Sequence, residues 1–483
     1  MSQTSVEDID NSKFEQFVER EYEFETPPGL NEDIVRTISE EKNEPDWMLE
    51  RRLRAYNIFD SKPMPEWGAD LSGLDIDDIV FYRRLDPTKN ETDWDDVPED
   101  VKDTFDRLGI PEAEQKALSG ASGQFDSEQV YADMEEEWQE KGVIFCDMDK
   151  AVQEHPDIVR EYFMTQCVPP SDNKFAALHG AVWAGGTFMY VPEGVEIEMP
   201  MQAYFRMNAQ DQGQFEHTLI IAEEGAKVHY IEGCSAPSFT TSSLHAGCVE
   251  VFAKDNSSVQ YSTVQNWSKN TYNLNTKRAI VGSDAEMRWL SGSMGSKVTM
   301  LYPSSILRGR GAKTTNIALA FANSGQYLDT GSKAIHVAPD TSSTIRMKSI
   351  SKGSGHTVYR GLVKVLEGAE NSSVNVCCDA MMLDDESSSD TIPNMEINED
   401  KVEVGHEATA GRISEEDLFY MMSRGIEQDE ALAMIVKGFI DPVTKELPME
   451  YSVELNRLIQ MELEDSDEVV DEEGYLEEWA GDE

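Results

Sequence analysis

Basic residues are scarce in this chain: 41 Lys and Arg stand against 93 Asp and Glu, a formal charge of −52 over 483 residues. A surface of that sign repels phosphate backbones and anionic membranes, which argues against nucleic acid and membrane as partners. The acidity reads as adaptation to solvent, because such self-repulsion is tolerable in concentrated salt, where the screening length falls to about 3 Å. Cysteine is scarce too: six residues, one adjacent pair and no CxxC do not make a disulfide framework. No apolar run reaches the roughly 20 residues that a membrane span needs. The N-terminus MSQTSVEDIDNSKFEQFVEREYEF lacks the basic and apolar regions of a signal peptide. The expectation is a reduced, cytoplasmic protein. HExxH, GxSxG and Walker A motifs are also missing, so the usual equipment for hydrolysis or ATP use is not there.

What is present falls into five stretches. Residues 1–27 are acidic and weakly patterned, an expected mobile arm. A helical region follows over 28–174. Asn31 caps NEDIVRTISEEK, and Pro45 opens DWMLERRLRAYNIF, where Leu49, Leu53 and Tyr56 form one apolar face. Further helices are expected in DVKDTFDRLGI, in SEQVYADMEEEWQEKG and in MDKAVQEHPDIVREYFMTQCV, with a short strand at VIFCDM. Short strands then occupy 175–410. Residues 411–465 turn helical again, starting with Ser414 as a cap and a stop at Gly425, and 466–483 form an acidic tail. These last helices either cap the preceding unit or dock a partner.

The strand region repeats. Taking Gly194, Gly225, Asn256, Asp284, Gly311, Asp340, Ala369 and Asp400 as turn markers, the spacings are 31, 31, 28, 27, 29, 29 and 31. Alternating Val, Ile and Thr on either side of each turn make the units strands. A near-constant period of this length is a solenoid signature, and propeller blades need about 40–50 residues each. The fold is therefore expected to be mainly β, a parallel β-helix flanked by helical regions.

In a β-helix, equivalent positions of successive turns stack about 4.8 Å apart, so phase predicts contact. Cys378 lies nine residues past Ala369, while His406 and Glu407 lie six and seven past Asp400. This phase predicts Cys378 and Glu407 side by side on one face, with Cys377 on the other side of the strand. Thiolate, imidazole and carboxylate are all candidate ligands for iron or zinc. Cys234 and Gln265 also fall nine residues past their markers, which places Cys234 on the same face five turns, on the order of 24 Å, from Cys378. A free cysteine is most often a small buried hydrophobe, and that reading is preferred for Cys146, Cys167 and Cys248. Cys234, Cys378 and His406 stand between that reading and a chemical one.

Several long stretches resemble a known family. KNEPDWMLERRLRAY, YFRMNAQDQGQFEHTLI, YIEGCSAP, YSTVQNW, TKRAI, YRGLVKV and GHEATAGRISEEDLFYMMSRGI are similar to the SufB members of the SufB/SufD family. These are scaffolds of the SUF iron–sulfur cluster assembly system, and with the acidity the chain looks like one from a halophilic archaeon. The resemblance implies a right-handed parallel β-helix and a non-enzymatic scaffold. Its partners would be a SufC ATPase docked at the C-terminal helices, SufD or a second SufB copy, a cysteine desulfurase as sulfur donor, and recipient apoproteins. Reduced flavin is the implied electron source. The sulfur acceptor matches Cys234, and the transfer route matches Arg206, Asn208, His245, Gln265, Trp267 and Lys277. The ligands of the transient cluster match Cys378 and Glu407, with His406 adjacent. A nearby Arg or Lys is expected to lower the acceptor's pKa. SufD typically has Gly where this chain has Glu407; a SufD-like structural subunit that holds no cluster is the alternative. The CxxCxxxC stretch of some bacterial members is replaced by FYRRLDPTKNETDW, without cysteine.

Overall fold

A computed structural model describes residues 22–84, 120–207, 211–236, 242–446 and 449–464. Most of the expected N-terminal arm, the helix in DVKDTFDRLGI, Asn208 and the acidic tail lie outside the described residues. The centre of the molecule is a parallel β-solenoid of about seven turns, its strands running from Thr187 to Arg412. Each middle turn supplies three strands, such as Lys227–Ser235 on the first wall, Cys248–Ala253 on the second and the short Ser243–His245 on the third. Toward the C-terminal end the second and third strands merge into single long ones, His356–Val365 and Ser388–Ile397. The first wall is continuous, in order Met201–Arg206, Lys227–Ser235, Ser258–Trp267, Glu286–Gly295, Lys313–Ala322, Ser342–Ser351, Ser373–Met382 and Glu403–Arg412.

The turns explain the repeat. Gly194, Gly225, Asn256, Asp284, Gly311 and Asp340 all have positive φ, between 53° and 72°, a conformation that Gly, Asn and Asp enter at least cost. Each donates its backbone N–H to the carbonyl just before the next marker, as Gly225 does to Asp255 (2.9 Å) and Asp340 to Glu370 (2.8 Å). That ladder identifies the marker of the next turn as Asn371, with φ 60°, and not Ala369. The two-residue slip matters for the site.

Alternation along the first wall separates two environments. Val228, Tyr230 and Cys234 point into the lumen with Val249, Val251 and Ala279 of the second wall. Val264, Leu290, Ile317, Leu319 and Phe321 point outward and are covered by Val436, Ile440, Leu455 and Leu458. These last belong to helices Gln428–Thr444 and Met449–Glu464, which thus lie along the outside of the wall and do not plug the solenoid's end. Ser414 caps helix Glu415–Met422 through the N–H of Asp417 (3.1 Å), as its sequence predicts.

The N-terminal region is less helical than its sequence suggests. Residues 127–142 form a strand, Glu128–Met134, and a short helix, Glu136–Glu140. The strand completes a hairpin with Gly120–Phe125, which pairs with Met201–Arg206 and covers the solenoid's first edge. An open sheet edge offers a full ladder of hydrogen bonds, and this tertiary pairing outweighs helical propensity. Phe24–Glu25, expected in the arm, pairs with Arg83–Arg84. Helix Asp46–Ser61 buries Met48, Arg52, Ala55 and Phe59, so its inner face is rotated by about one residue from Leu49, Leu53 and Tyr56. Arg52 is tolerated there because Glu44 pairs with it at 2.6 and 2.7 Å and the carbonyls of Ala181 and Trp183 accept from Nη1 and Nη2. Among the described residues no helix is long and apolar enough to cross a membrane.

Candidate functional site

Strand Lys227–Ser235 places Glu232 and Cys234 on the lumen side, two residues apart, with Gly233 between them facing out. Cys234 registers with Gln265, as the repeat phase predicts. Around it lies a buried polar network. Lys277 pairs with Glu232 at 2.8 Å, and the hydroxyls of Tyr261 and Thr263 donate to the same carboxylate. Gln265 accepts from Asn273 (2.9 Å), which meets His245 Nδ1 through its other amide atom (2.8 Å). His245 Nε2 is 2.5 Å from Glu216, and its ring packs on Trp267 with centroids 4.1 Å apart. His245, Gln265, Trp267 and Lys277 are thereby brought together with Cys234. Arg206 is not: it follows Phe205, the register partner of Cys234, on the alternate pleat, and donates to Ser235 at 2.8 Å.

The electrostatics run against a simple activated thiol. Burial, then Glu232 and Glu216, push the Cys234 thiol well up, and the opposing charge of Lys277 does not overcome them. The expected lowering is therefore reversed. Burial alone would also raise Glu232, but its ion pair with Lys277 and its hydrogen bonds hold it below the usual carboxylate range. Glu232 is thus an ionised but weakly basic carboxylate beside a neutral thiol, and it can take the thiol proton only once the site opens and the thiol is no longer held up by burial. Several buried polar atoms here have no protein partner, among them Gln265 Nε2, Trp267 Nε1 and both amide atoms of Gln212 and Gln214. Groups of this kind demand water or cargo, since each one left unpaired costs about 1–3 kcal/mol.

The second candidate cluster lies at the solenoid's far end. Because the marker is Asn371, Cys378 registers with Met347 and, through Ala318, Ser291 and Thr263, with Glu232 and not with Cys234. The five-turn separation stands. The shared face of Cys378 and Glu407 does not. Glu407 registers with Cys377 and His406 with Val376, so the pleat puts His406 on the inner face with Cys378 and Glu407 on the outer face with Cys377. Cys378 Sγ is 4.0 Å from His406 Nε2. Two ligands of one tetrahedral ion, with zinc-like bond lengths, are about 3.5 Å apart, so a small closure suffices. Burial pushes the Cys378 thiol up to about 12 despite the neighbouring Tyr359 hydroxyl. Cys377 is also raised, by burial and then by Asp379 and Glu407. Glu407 is exposed, on the last strand of the wall.

Glu232, Tyr261, Asn273, Glu216 and Tyr359 escaped the sequence reading. For the first two a signal existed: YIEGCSAP and YSTVQNW place them at lumen phases of their turns. Asn273 and Tyr359 come from strands too short or too remote for phase to align, and Glu216 from the link between Gly213–Gln214 and His217–Ala222.

Comparison with known proteins agrees with this architecture. Residues 205–439 match the SUF system FeS cluster assembly, SufBD core domain, and residues 96–203 match the SufBD protein N-terminal region. Iron–sulfur cluster assembly SufBD family proteins of Staphylococcus aureus strains MRSA252 and USA300 are 54% identical over 444 residues, covering 92% of this chain and 95% of theirs. The corresponding protein of Staphylococcus haemolyticus is equally similar, 54% over 444 residues. These relatives are bacterial and do not bear out the archaeal origin suggested by the charge. The chain belongs to the SufBD family of iron–sulfur cluster assembly proteins.

Proposed function

We propose that this SufBD-family chain is the cluster-holding scaffold of its complex, and not a structural companion. The observation that carries the reading is the inward-facing Cys378–His406 pair, 4.0 Å apart at the solenoid's terminal turn. Glu407 is one residue away on the exposed face, and Cys377 lies beside it in register. A site with few thiolates, on an end strand, holds iron less firmly than four cysteines would, which suits a cluster that must be passed on.

Sulfur enters at Cys234. Glu232 takes the thiol proton, the thiolate attacks the outer sulfur of a donor persulfide, and the donor's S–S bond breaks. The donor leaves as a thiolate, and Cys234 keeps the sulfane sulfur as its own persulfide. The polar lumen formed by Gln265, Thr263 and Ser291 leads toward Cys378, but Ala318 and Met347 narrow it to apolar contacts before Cys378 is reached. Passage of sulfur therefore requires that end of the solenoid to open. Helix Glu415–Met422 presents Phe419 and Tyr420, 72% and 58% exposed, as a docking surface for a SufC-type ATPase. The outer edge of Glu403–Arg412, unpaired among the described residues, suits SufD or a second copy.

Anaerobic reconstitution with iron and sulfide, followed by visible absorption, tests the reading. The parent is expected to develop a cluster chromophore that Cys378→Ala and His406→Ala lose. Cys234→Ala is expected to keep that chromophore with inorganic sulfide yet fail to accept sulfur from a desulfurase persulfide. If the parent binds no cluster, the structural-subunit reading replaces this one. If only the two substitutions are silent, the ligands lie elsewhere.

A further inference from the structure

A second cluster of ligating side chains lies outside the lumen. His217 and Cys248 are register partners on adjacent strands of the second wall, and their side chains join the apolar layer beneath the N-terminal helices. His179, from helix Lys174–Val182, reaches the same point. One ligand atom from each of His179, His217 and Cys248 lies within 4.8 Å of the others, and all three residues are buried. None of them belongs to the sulfur route or the cluster end.

The histidines are held as metal ligands are held. His179 uses Nδ1 on the carbonyl of Ala246 (2.9 Å), which fixes its tautomer and leaves Nε2 as the free lone pair. That atom faces His217 Nδ1 at 2.9 Å. The other nitrogen of His217, Nε2, lies 3.2 Å from the carboxyl of Glu250 but makes no hydrogen bond as it stands, so a small turn of the ring is needed to engage it. Glu250 is itself anchored by the N–H groups of Met164 (2.6 Å) and Val168 (2.8 Å). A backbone carbonyl behind one imidazole and an anchored carboxylate behind the other are the two usual outer-shell partners of metal-bound histidine. Two nitrogens on one tetrahedral zinc are about 3.3 Å apart, so the pair needs to part by only a few tenths of an ångström.

The geometry points to a buried structural metal site in which His179 Nε2, His217 Nδ1 and Cys248 Sγ bind a borderline-soft divalent ion of the zinc class. Cys167 lies outside this group, its thiol donated to the carbonyl of Arg278 at 3.2 Å, so the fourth position falls to a water. Such an ion would pin helix Lys174–Val182 to the second wall and enter during folding, since all three ligands are sealed from solvent.

The test uses the full chain with Cys234, Cys377 and Cys378 changed to Ser, so that no thiol of the proposed sulfur and cluster sites contributes. It is expressed with zinc and, separately, with cobalt. The expected result is about one metal per chain, with tetrahedral cobalt bands and a thiolate-to-cobalt charge-transfer band that Cys248→Ser abolishes. His217→Gln is expected to lose the metal. Glu250→Gln, which spares the ligands, is expected to lower affinity about 10–100-fold. Circular dichroism shows whether each variant folds. A folded, metal-free parent overturns the proposal, leaving a hydrogen-bonded histidine pair; so does a cobalt spectrum unchanged by Cys248→Ser. Either result leaves the cluster-scaffold reading untouched.

Discussion

The two ends of one lumen are built on opposite terms. Around Cys234 the side chains are buried, and an ion pair, three histidine or amide links and a tilted His245–Trp267 ring contact hold most of them. Around Cys378 the terminal strands Ser388–Ile397 and Glu403–Arg412 are mostly exposed, and a 4.0 Å thiol–imidazole contact with the Tyr359 hydroxyl beside it defines the site. A solenoid is stabilised turn by turn through its neighbours, so its last turn has only one neighbour and opens most readily. The contrast teaches that sealing and release are set by position along the stack, with the same strand chemistry at both ends.

The most severe way to break the contrast is to unpair the sealed end. Lys277→Met leaves the buried Glu232 carboxylate without its cation and should cost about 3–5 kcal/mol. Glu407→Gln at the open end should change stability by no more than about 0.5 kcal/mol. Urea midpoints measure both, and Glu232→Gln combined with Lys277→Met should recover most of the loss. Equal midpoints for the two single variants would dissolve the comparison.

A pH titration sharpens it next. Burial holds His229 down to about 4 and His217 to about 3, against an ordinary value near 6.5. The unfolded chain therefore binds more protons than the folded one in this range. The stability they contribute is present above about pH 6.5 and is lost as pH falls toward 4 and then 3. Thermal midpoints should fall steeply below pH 6.5, and His229→Gln should flatten part of that fall. A midpoint that rises on acidification would contradict the neutral, buried state of these rings.

The smallest effect is a difference in labelling. Cys377 is half-buried, whereas Cys378 and Cys234 are buried, and burial pushes the Cys378 thiol up to about 12. Each unit of pKa is about tenfold in thiolate fraction. Iodoacetamide at pH 8, followed by peptide mass spectrometry, should modify Cys377 at least about tenfold faster than the other two. Faster labelling of Cys378 would mean that the terminal turn stands open in the resting protein.

Much of this was legible in the chain. Six of the turn markers predicted from Gly, Asn and Asp, from Gly194 to Asp340, adopt positive φ, because the left-handed conformation restricts which residues fit; Asp400 does not. Cys234 and Gln265 align as counted. Ala369 failed as a marker because the turn there is longer, and Gly368 and Asn371 carry its positive φ values. That slip moved Cys378 by two residues but kept its face; His406 replaces Glu407 at its side because Lys401, and not Asp400, aligns with Asn371 in the last turn, a one-residue error. The hairpin strand Glu128–Met134 was misread because an exposed sheet edge recruits residues that alone would favour a helix.

Sequence by itself determined the period, the positive-φ turns and the identity of the thiols, since each depends on local sterics or chemistry that a residue carries with it. Which side chains meet was decided only by the tertiary structure. Register across a parallel sheet has a two-residue face repeat, so one uncounted residue exchanges inside for outside. The burial that raises the thiols, pairs Glu232 with Lys277 and gathers His179, His217 and Cys248 comes from walls and helices distant in sequence.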